Sequence, residues 1–276
     1  MLAWDDISVS WSRFGAVLLR SPWDYTERLL EFLTWCERTA RTTTLLNPLP
    51  VIRWNTDKRY LADLAGAGVP VIPCTFIAPD TEPMEALPKF LAQHAAEEFV
   101  VKPVVGAGAR DVQRYTRNQE FAAGNHLARL LDEYRHVLLQ PYLPQVDTDG
   151  ETALVYFDGQ FSHAIRKAAL LKPGEVVDKA PFANGHISAR EASAAQRKVA
   201  EQALAATARL FKLDRPLPYA RIDLIPGPDG APRLLELELT EPSLFLRHAP
   251  EAADRFASVL ATWLADASTA ARREYA

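Results

Sequence analysis

Arg221-Ile222-Asp223-Leu224-Ile225 and Leu234-Leu235-Glu236-Leu237-Glu238-Leu239 are the two stretches that decide the fold of this 276-residue chain. Charged and apolar residues alternate in both stretches, which is the period of a β-strand. One face of each predicted strand carries the charges, and the opposite face carries leucine and isoleucine. The connector, residues 226–232, is rich in proline and glycine, and its Asp229-Gly230 pair predicts the turn of a hairpin.

The predicted hairpin places Asp223 opposite Glu236 and Arg221 opposite Glu238. Three carboxylates then share one patch with a single arginine. Carboxylates this close repel each other unless a cation lies among them, and oxygen ligands of this kind suit Mg²⁺. The alternative is a solvated outer face of an amphipathic hairpin, because charges that alternate with leucine are common on sheets. The residues alone leave both interpretations open.

Composition excludes several classes of function. The hydrophobic content of 48% and the charged content of 24% describe an ordinary globular protein. A net charge of -4 gives no support to a nucleic-acid or membrane partner. Cys36 and Cys74 are far apart and have no histidine in metal-ligand spacing, which indicates a reducing, cytoplasmic location and no structural zinc. No apolar run reaches the length of a membrane span.

The first part of the chain predicts a small α/β domain. Residues 14–20 and 51–54 are predicted strands, and residues 25–40 carry apolar side chains at helical spacing. Asn55 or Thr56 caps a further predicted helix. The first strong strand comes only after a tryptophan-rich opening, so we expect this domain to lack an element at its start.

Two motifs that could bind a nucleotide follow, and each is weak evidence for nucleotide binding when taken alone. Lys102 ends a predicted strand, and Gly106-Ala107-Gly108 follows, where glycine lets backbone N–H groups approach phosphate oxygens. Gln140-Pro141-Tyr142-Leu143 ends another strand. Each also has an ordinary interpretation: a surface lysine, a plain turn, and a strand that stops at proline. Residues 172–188 show no period, and we interpret them as a mobile loop.

In their order and spacing these motifs resemble the ATP-grasp superfamily over nearly the whole chain. The similarity is to the branch of glutathione synthetase and ribosomal-protein S6 glutamate ligase, and within it to the cyclo-ligases of cycloserine biosynthesis, which are O-ureido-serine cyclo-ligases. The phrases that carry this last similarity are Arg20-Ser21-Pro22-Trp23-Asp24-Tyr25, Trp54-Asn55-Thr56-Asp57-Lys58, Gly159-Gln160-Phe161-Ser162-His163-Ala164 and Tyr219-Ala220-Arg221-Ile222-Asp223.

The resemblance implies the fold class and its division into domains. The class is α/β (α+β), with a small N-terminal α/β domain at residues 1–55 and an ATP-grasp domain at residues 56–276. Within the latter, residues 75–143 form the ATP-binding subdomain and residues 144–276 the metal and substrate subdomain. ATP is expected between the two subdomains.

The resemblance also implies roles for particular residues. Lys58 and Lys102 contact ATP phosphates, Asp147 or Asp149 reaches the ribose, and Arg166 and Lys167 lie near the phosphates. The implied assignments are Lys58, Lys102, Gly106, Gly108, Gln140, Tyr142, Leu143 and Asp147 for ATP, Arg221 and Lys167 for catalysis, and Asp223, Glu236 and Glu238 for the metal.

The implied activity is an ATP- and Mg²⁺-dependent ligase, with Mn²⁺ as an alternative metal. Such enzymes phosphorylate a carboxylate, and an amine then displaces phosphate, either from a second molecule or within the same one. We expect small, amino-acid-like substrates, no nucleic acid and no membrane, and leave homo-oligomerisation open. Residues 172–188 are the predicted lid, which excludes water from the acyl-phosphate.

Two departures from the family pattern keep alternatives open. Glu238 stands where the family commonly has Asn, and Ala183-Asn184-Gly185-His186 replaces the expected Phe-Arg and paired glycines of the lid. The enzymatic alternative is a kinase or other phosphotransferase on the same fold. The alternative of another class is an ATP-binding regulatory protein without turnover.

Overall fold

The structure, a computed structural model, describes residues 1–172 and 186–274, with residues 267–274 described by their backbone alone. Its strands form one two-stranded, one four-stranded and one five-stranded sheet. The strands are β1 (Ala16–Leu18), β2 (Thr44–Leu46), β3 (Thr75–Ile77), β4 (Glu98–Pro103), β5 (Gln113–Thr116), β6 (Val137–Pro141), β7 (Glu151–Phe157), β8 (Gln160–Lys167), β9 (Ile187–Arg190), β10 (Tyr219–Pro226) and β11 (Pro232–Glu238). The helices are α1 (Leu29–Ala40), α2 (Leu49–Asn55), α3 (Tyr60–Gly66), α4 (Pro83–Gln93), α5 (Glu120–Asp132), α6 (Gln145–Asp149), α7 (Ala194–Phe211) and α8 (Ala252–Glu274).

A small α/β unit opens the chain, as predicted. β1 and β2 pair in parallel, and α1 connects them. The core of this unit is aromatic: the Phe32 ring lies 5.1 Å from that of Tyr25 and 5.8 Å from that of Trp35. Trp4 packs edge-on against Phe32. The tryptophan-rich opening therefore supplies large buried rings to a unit that has only two short strands.

The predicted strand at residues 51–54 is wrong, because α2 covers these residues. Pro48 precedes the helix and Pro50 lies in its first turn. Proline is tolerated there because the first N–H groups of a helix have no partner within it. Val51 and Ile52 are fully buried on the inner side of α2. Their β-branched side chains suggested a strand, but the two prolines and tertiary packing outweigh that preference.

The four-stranded sheet carries the predicted nucleotide motifs on neighbouring strands. Its order is β3-β6-β4-β5, and its neighbouring strands are antiparallel. α4 and α5 cover one face through a core that includes Phe90 and Leu127. Lys102 lies near the end of β4 and Gln140 near the end of β6.

The five-stranded sheet, β11-β10-β7-β8-β9, separates two kinds of surface. α3 and α7 cover one face, where Ala200 and Ala203 of α7 are fully buried against the sheet. At one end of the other face, Phe256 of α8 stacks on Phe157 with ring centroids 4.6 Å apart. The middle of that second face carries charged side chains rather than a core.

The β10–β11 hairpin has the predicted register, with Arg221 opposite Glu238 and Asp223 opposite Glu236. The register then shifts between Asp223 and Leu224, which leaves Leu235 as the extra residue of a β-bulge. Leu235 therefore packs on the opposite side of the sheet from Leu237. The prediction that these two leucines share a face is wrong, because strict alternation ends at the bulge.

An apolar cluster lies between the two large sheets. Val100 and Tyr142 come from the four-stranded sheet and its exit, and Ile225 and Leu235 come from the hairpin. We call it the inter-sheet cluster. It borders the charged middle of the hairpin, so packed apolar side chains lie beside the charged residues.

The predicted lid falls mostly outside the described residues. Residues 173–185 are not described, and residues 187 and 188 belong to β9 rather than to a loop. Side chains define the start of α7. Ser193 caps it, and Gln196 completes a capping box, which fixes the start of the helix at Ala194. In the described part of the chain, none of the helices is long and apolar enough to cross a membrane.

Side chains of the N-terminal region satisfy the outer edge of β11. Asn55 donates to the carbonyl of Leu237 at 2.7 Å and accepts from the N–H of Leu239 at 2.7 Å. Tyr60 accepts from the N–H of Leu237, and Asn47 donates to the carbonyl of Leu239. An edge strand normally leaves such groups unpaired. Here they fix the metal-ligand candidates of β11 against the first domain.

We predict that Asn55→Ala lowers the free energy of unfolding by about 2–4 kcal/mol, because two buried backbone groups lose their partners. Urea unfolding followed by circular dichroism measures this change. Asn125→Ala, at an exposed position of α5, is the matched control and should change stability by less than about 0.5 kcal/mol. Equal stabilities of the two variants would show that the hydrogen bonds between Asn55 and the edge of β11 do not stabilise the protein.

Candidate active site

Three carboxylates meet on the charged face of the hairpin, as the sequence predicts. Asp223, Glu236 and Glu238 each offer an oxygen, and these oxygens lie within 4.8 Å of one another. Asp223 is fully buried, whereas the side chains of Glu236 and Glu238 remain 29% and 21% exposed. The cluster is therefore anchored in the sheet and open on one side.

Three cations, not one, offset this cluster. Arg221 contacts Asp223 at 2.9 Å and also contacts Glu238. Lys167 of β8 lies 2.7 Å from Asp223, and Lys58 lies 3.0 Å from Glu236. The expectation that a single arginine balances the carboxylates is wrong. The lysines approach from β8 and from the segment after α2, and pairing within the hairpin could not show this.

The pKa values of the cluster reflect its uneven charge balance. Burial raises the pKa of Asp223, but Arg221 and Lys167 outweigh it and bring that pKa to about 2. Burial raises the pKa of Glu238, Arg221 opposes this, and the two neighbouring carboxylates add to it, which brings the value to about 8. A divalent cation among the three oxygens would remove the repulsion that raises the pKa of Glu238.

Glu151 is a member of the site that the sequence analysis missed. Its carboxylate lies 2.6 Å from the Lys167 ammonium, opposite it in the β7–β8 ladder. Lys167 thereby joins Glu151 and Asp223. A two-residue turn at Asp158-Gly159 alone would place Glu151 opposite Arg166, and the register shift between Val155 and Tyr156 places it opposite Lys167 instead. The sequence pattern carries no sign of this shift.

Two lysines flank the glycine loop from different sides. Lys58 donates to the carbonyl of Gly106 at 2.8 Å, and this contact ties the loop to the carboxylate cluster. Lys102 is only 8% exposed and forms no ion pair among the described residues. Burial lowers the pKa of Lys102, because no nearby acid fully compensates the lost hydration. Gly108 has φ +63, which a side chain disfavours.

The strand exit after β6 meets the inter-sheet cluster. The backbone N–H of Tyr142 donates to the carbonyl of Glu98 at 2.9 Å, so that group is already paired. Leu143 is buried within the cluster. The Gln140 side chain is buried and donates to Cys74 at 3.4 Å, and its contact with a nucleotide stays a prediction.

Asp147 and Arg166 are engaged elsewhere. Asp147 accepts from the Tyr142 hydroxyl at 2.5 Å and from Arg114 at 3.0 Å. Arg114 also lies 3.6 Å above the Tyr142 ring. Arg166 donates to the carbonyls of Thr148 and Asp149 rather than to the cluster. Asp147 thus holds Tyr142 in the segment that follows β6. Its contact with the ribose stays a prediction.

Glu241, just beyond β11, is a further carboxylate that sequence reasoning missed. It is 9% exposed and accepts from the Tyr25 hydroxyl at 2.8 Å. Burial raises its pKa to about 7, although Tyr25 and Lys58 act in the opposite direction. Tyr25 belongs to a motif that was singled out, but a contact across 216 residues has no local signal.

Comparison with known proteins identifies relatives of this chain. Residues 1–47 match the N-terminal domain of D-cycloserine synthetase DcsG. The chain is 51% identical over 259 residues to the cycloserine biosynthesis protein DcsG of Streptomyces lavendulae, which spans 94% of this chain and 86% of that protein. The crystal structure of D-cycloserine synthetase DcsG has a TM-score of 0.90 and 50% identity, over 95% of this chain and 88% of that chain.

More distant structures share the fold. The ATP-grasp ligase PsnB complexed with a minimal precursor has a TM-score of 0.59 at 24% identity, over 90% of this chain and 78% of that chain. D-alanine–D-alanine ligase from Bacillus anthracis complexed with ATP has a TM-score of 0.60 at 17% identity, over 96% of this chain and 82% of that chain.

The fold and the site define an ATP-grasp enzyme. The chain is 51% identical to DcsG over 94% of its own length and 86% of the length of DcsG. It therefore belongs to the DcsG family of ATP-dependent ligases. The predicted superfamily, the similarity to cycloserine biosynthesis enzymes and the enzyme class are thereby confirmed. The kinase and non-catalytic alternatives receive no support from these comparisons.

We predict that Glu236→Gln lowers the stability of the protein without nucleotide by about 1–2 kcal/mol. The change relieves repulsion with Asp223 and Glu238, but it removes the carboxylate that lies 3.0 Å from the mostly buried Lys58 ammonium. Thermal unfolding in the presence of EDTA measures the effect. Glu31→Gln, which removes an exposed ion pair on α1, should shift stability by less than about 1 kcal/mol. A rise in melting temperature for Glu236→Gln would show that repulsion dominates.

Proposed function

We propose that this enzyme closes a ring within a small amino-acid-like substrate, using ATP to activate the substrate carboxylate, and that its product is cycloserine or a close analogue. The observation that carries the site assignment is the cluster of Asp223, Glu236 and Glu238, open on one side and flanked by three cations. The name of the 51%-identical relative supports the product.

The nucleotide is assigned to the space between the two large sheets. The inter-sheet cluster offers apolar side chains for contact with the adenine, and Tyr142 and Leu143 are among them. Lys102, buried and without an ion pair among the described residues, supplies a positive charge for a phosphate. Gly106 and Gly108 allow close approach of the loop backbone, and Lys58 holds that loop.

The three carboxylates fit Mg²⁺, because hard oxygen ligands on one open face match what this ion takes from proteins alongside phosphate oxygens. Glu236 lies between the other two in the hairpin, and all three carboxylates would hold the ion. Bound there, Mg²⁺ would neutralise the phosphate charge that develops during transfer. Mn²⁺ has the same ligand preference and is the alternative ion.

The chain's own residues then position the reacting groups. Arg221 and Lys167, both held by Asp223, place positive charge beside the site where a carboxylate receives the phosphoryl group. A nitrogen of the same substrate attacks the acyl-phosphate and releases phosphate. The substrate is a small molecule; neither a nucleic acid nor a membrane is part of the proposal.

The products test this mechanism. Turnover should yield ADP and phosphate in equal amounts, and EDTA should stop it. Hydroxylamine should trap the activated carboxylate as a hydroxamate, and mass spectrometry should detect cycloserine or its analogue when the ring-open precursor is supplied. Formation of AMP and pyrophosphate would contradict the acyl-phosphate, and ADP formation without a cyclic product would contradict ring closure.

We predict that Lys102→Ala weakens ATP binding at least about ten-fold, because a charge-assisted hydrogen bond contributes roughly 1.5–3 kcal/mol. Isothermal titration calorimetry with a non-hydrolysable ATP analogue measures the affinity, and circular dichroism checks the fold. Lys89→Ala removes an exposed lysine of α4 and should leave the affinity unchanged. Equal affinities for wild type and Lys102→Ala would overturn the assignment of Lys102.

A further inference from the structure

Five consecutive backbone carbonyls directly after β11 each accept a hydrogen bond from a side chain. We call residues 240–244 the post-hairpin segment. The donors are Tyr219 to Thr240 at 3.4 Å, Trp23 to Glu241 at 3.4 Å, Arg20 to Pro242 at 3.1 Å, Arg221 to Ser243 at 3.2 Å, and His163 to Leu244 at 2.8 Å. Most loops satisfy their carbonyls with water or local backbone, so this degree of side-chain support indicates a segment held in one conformation.

The donors come from parts of the chain that are far apart in sequence. Arg20 and Trp23 belong to the first α/β unit, His163 to β8, and Tyr219 and Arg221 to β10. All five lie in sequence motifs singled out above. Apart from Arg221, they have no part in the proposed handling of ATP. These motifs therefore share one structural role, which is to hold the post-hairpin segment in place.

The side chain that this segment presents is Glu241. One carboxylate oxygen accepts from the Tyr25 hydroxyl at 2.8 Å, and the residue is nine-tenths buried. Among the described residues, none with a cationic side chain lies within ion-pair distance of Glu241. A single hydrogen bond from a neutral group offsets only part of the free energy that a carboxylate loses when it is buried away from water. A cationic partner would therefore bind there favourably.

The expected partner is a substrate group rather than the metal. Glu241 lies outside the set of carboxylates whose oxygens approach within 4.8 Å of one another. Lys58, Glu236 and Arg221 all act on the pKa of Glu241, so its carboxylate lies near the carboxylate cluster, where the proposed function places the substrate carboxylate. In an α-amino acid the nitrogen is separated from the carboxyl carbon by a single carbon. Whatever binds the ammonium group must therefore lie next to whatever activates the carboxylate.

We propose that Glu241, held by Tyr25 and by the post-hairpin segment, binds the ammonium group of an α-amino-acid substrate. This inference rests on the proposed function and adds a requirement for a free amino group beside the activated carboxylate. Glu241 is a binding residue in this assignment, and Tyr25 positions it. The N-terminal unit thereby contributes to substrate choice through the contacts of Arg20, Trp23 and Tyr25.

The test compares two ligands that differ only in the amino group. D-cycloserine carries it, and isoxazolidin-3-one is the same ring without it. Calorimetric titration of the protein loaded with Mg²⁺ and a non-hydrolysable ATP analogue should show that the wild type binds the amino compound about ten-fold or more tightly. Glu241→Gln keeps the shape and can still accept from Tyr25, and it should abolish this preference.

Two variants separate charge from structure. Glu241→Asp retains the charge and should retain most of the preference. Glu251→Gln makes the same chemical change at an exposed side chain and should bind both ligands as the wild type does. An equal preference in wild type and Glu241→Gln, loss of preference in Glu241→Asp as complete as in Glu241→Gln, or no preference in the wild type would each overturn the assignment. If cyclic product forms while Glu241→Gln keeps the preference, this inference fails and the proposed function stands.

Discussion

The charge balance around Asp223 is the constraint on which the rest of the structure depends. A carboxylate that is fully buried in a sheet is costly unless cations pair with it, and here Arg221 and Lys167 do so from two different strands. This requirement brings Lys167 of β8 across β7 to Asp223 of β10 and draws Glu151 of β7 into the site. It leaves the more exposed Glu236 and Glu238 facing outward. Charged residues on β7, β8 and β10 are thus positioned around the Asp223 carboxylate.

The sequence predicted this part of the molecule well because its information is local. Alternation identified both strands of the hairpin, and the Asp229-Gly230 turn fixed their register, so the opposed pairs followed directly. Lys102 and Gln140 were placed on strands for the same reason. The bulge at Leu235 could not be predicted from these patterns, since strict alternation carries no mark of one extra residue. The domain boundaries and the roles of the individual site residues stay predictions.

What the sequence could not show depends on contacts between distant segments. Lys58 follows α2, whose residues 51–54 were predicted as a strand. Val51 and Ile52 are compatible with a helix or a strand, and tertiary packing decides between the two. The ion pair of Lys58 with Glu236 joins residues 178 positions apart by number, and the Tyr25–Glu241 hydrogen bond spans 216. Residue type alone gives no reason to connect such positions. The family resemblance supplied Lys58 as a phosphate ligand but not its contact with the carboxylate cluster.

The edge of β11 also bears on how the chain reaches its native state. Asn55 and Asn47 pair with β11 across 182 and 192 residues. During synthesis the N-terminal unit leaves the ribosome long before the strand that completes it, and closing such large loops slows folding. The early unit must therefore keep its asparagines and aromatic residues available until nearly the whole chain has been made. The candidate active site is complete only when β11 is in place, because residues from the N-terminal unit and from β11 both contribute to it.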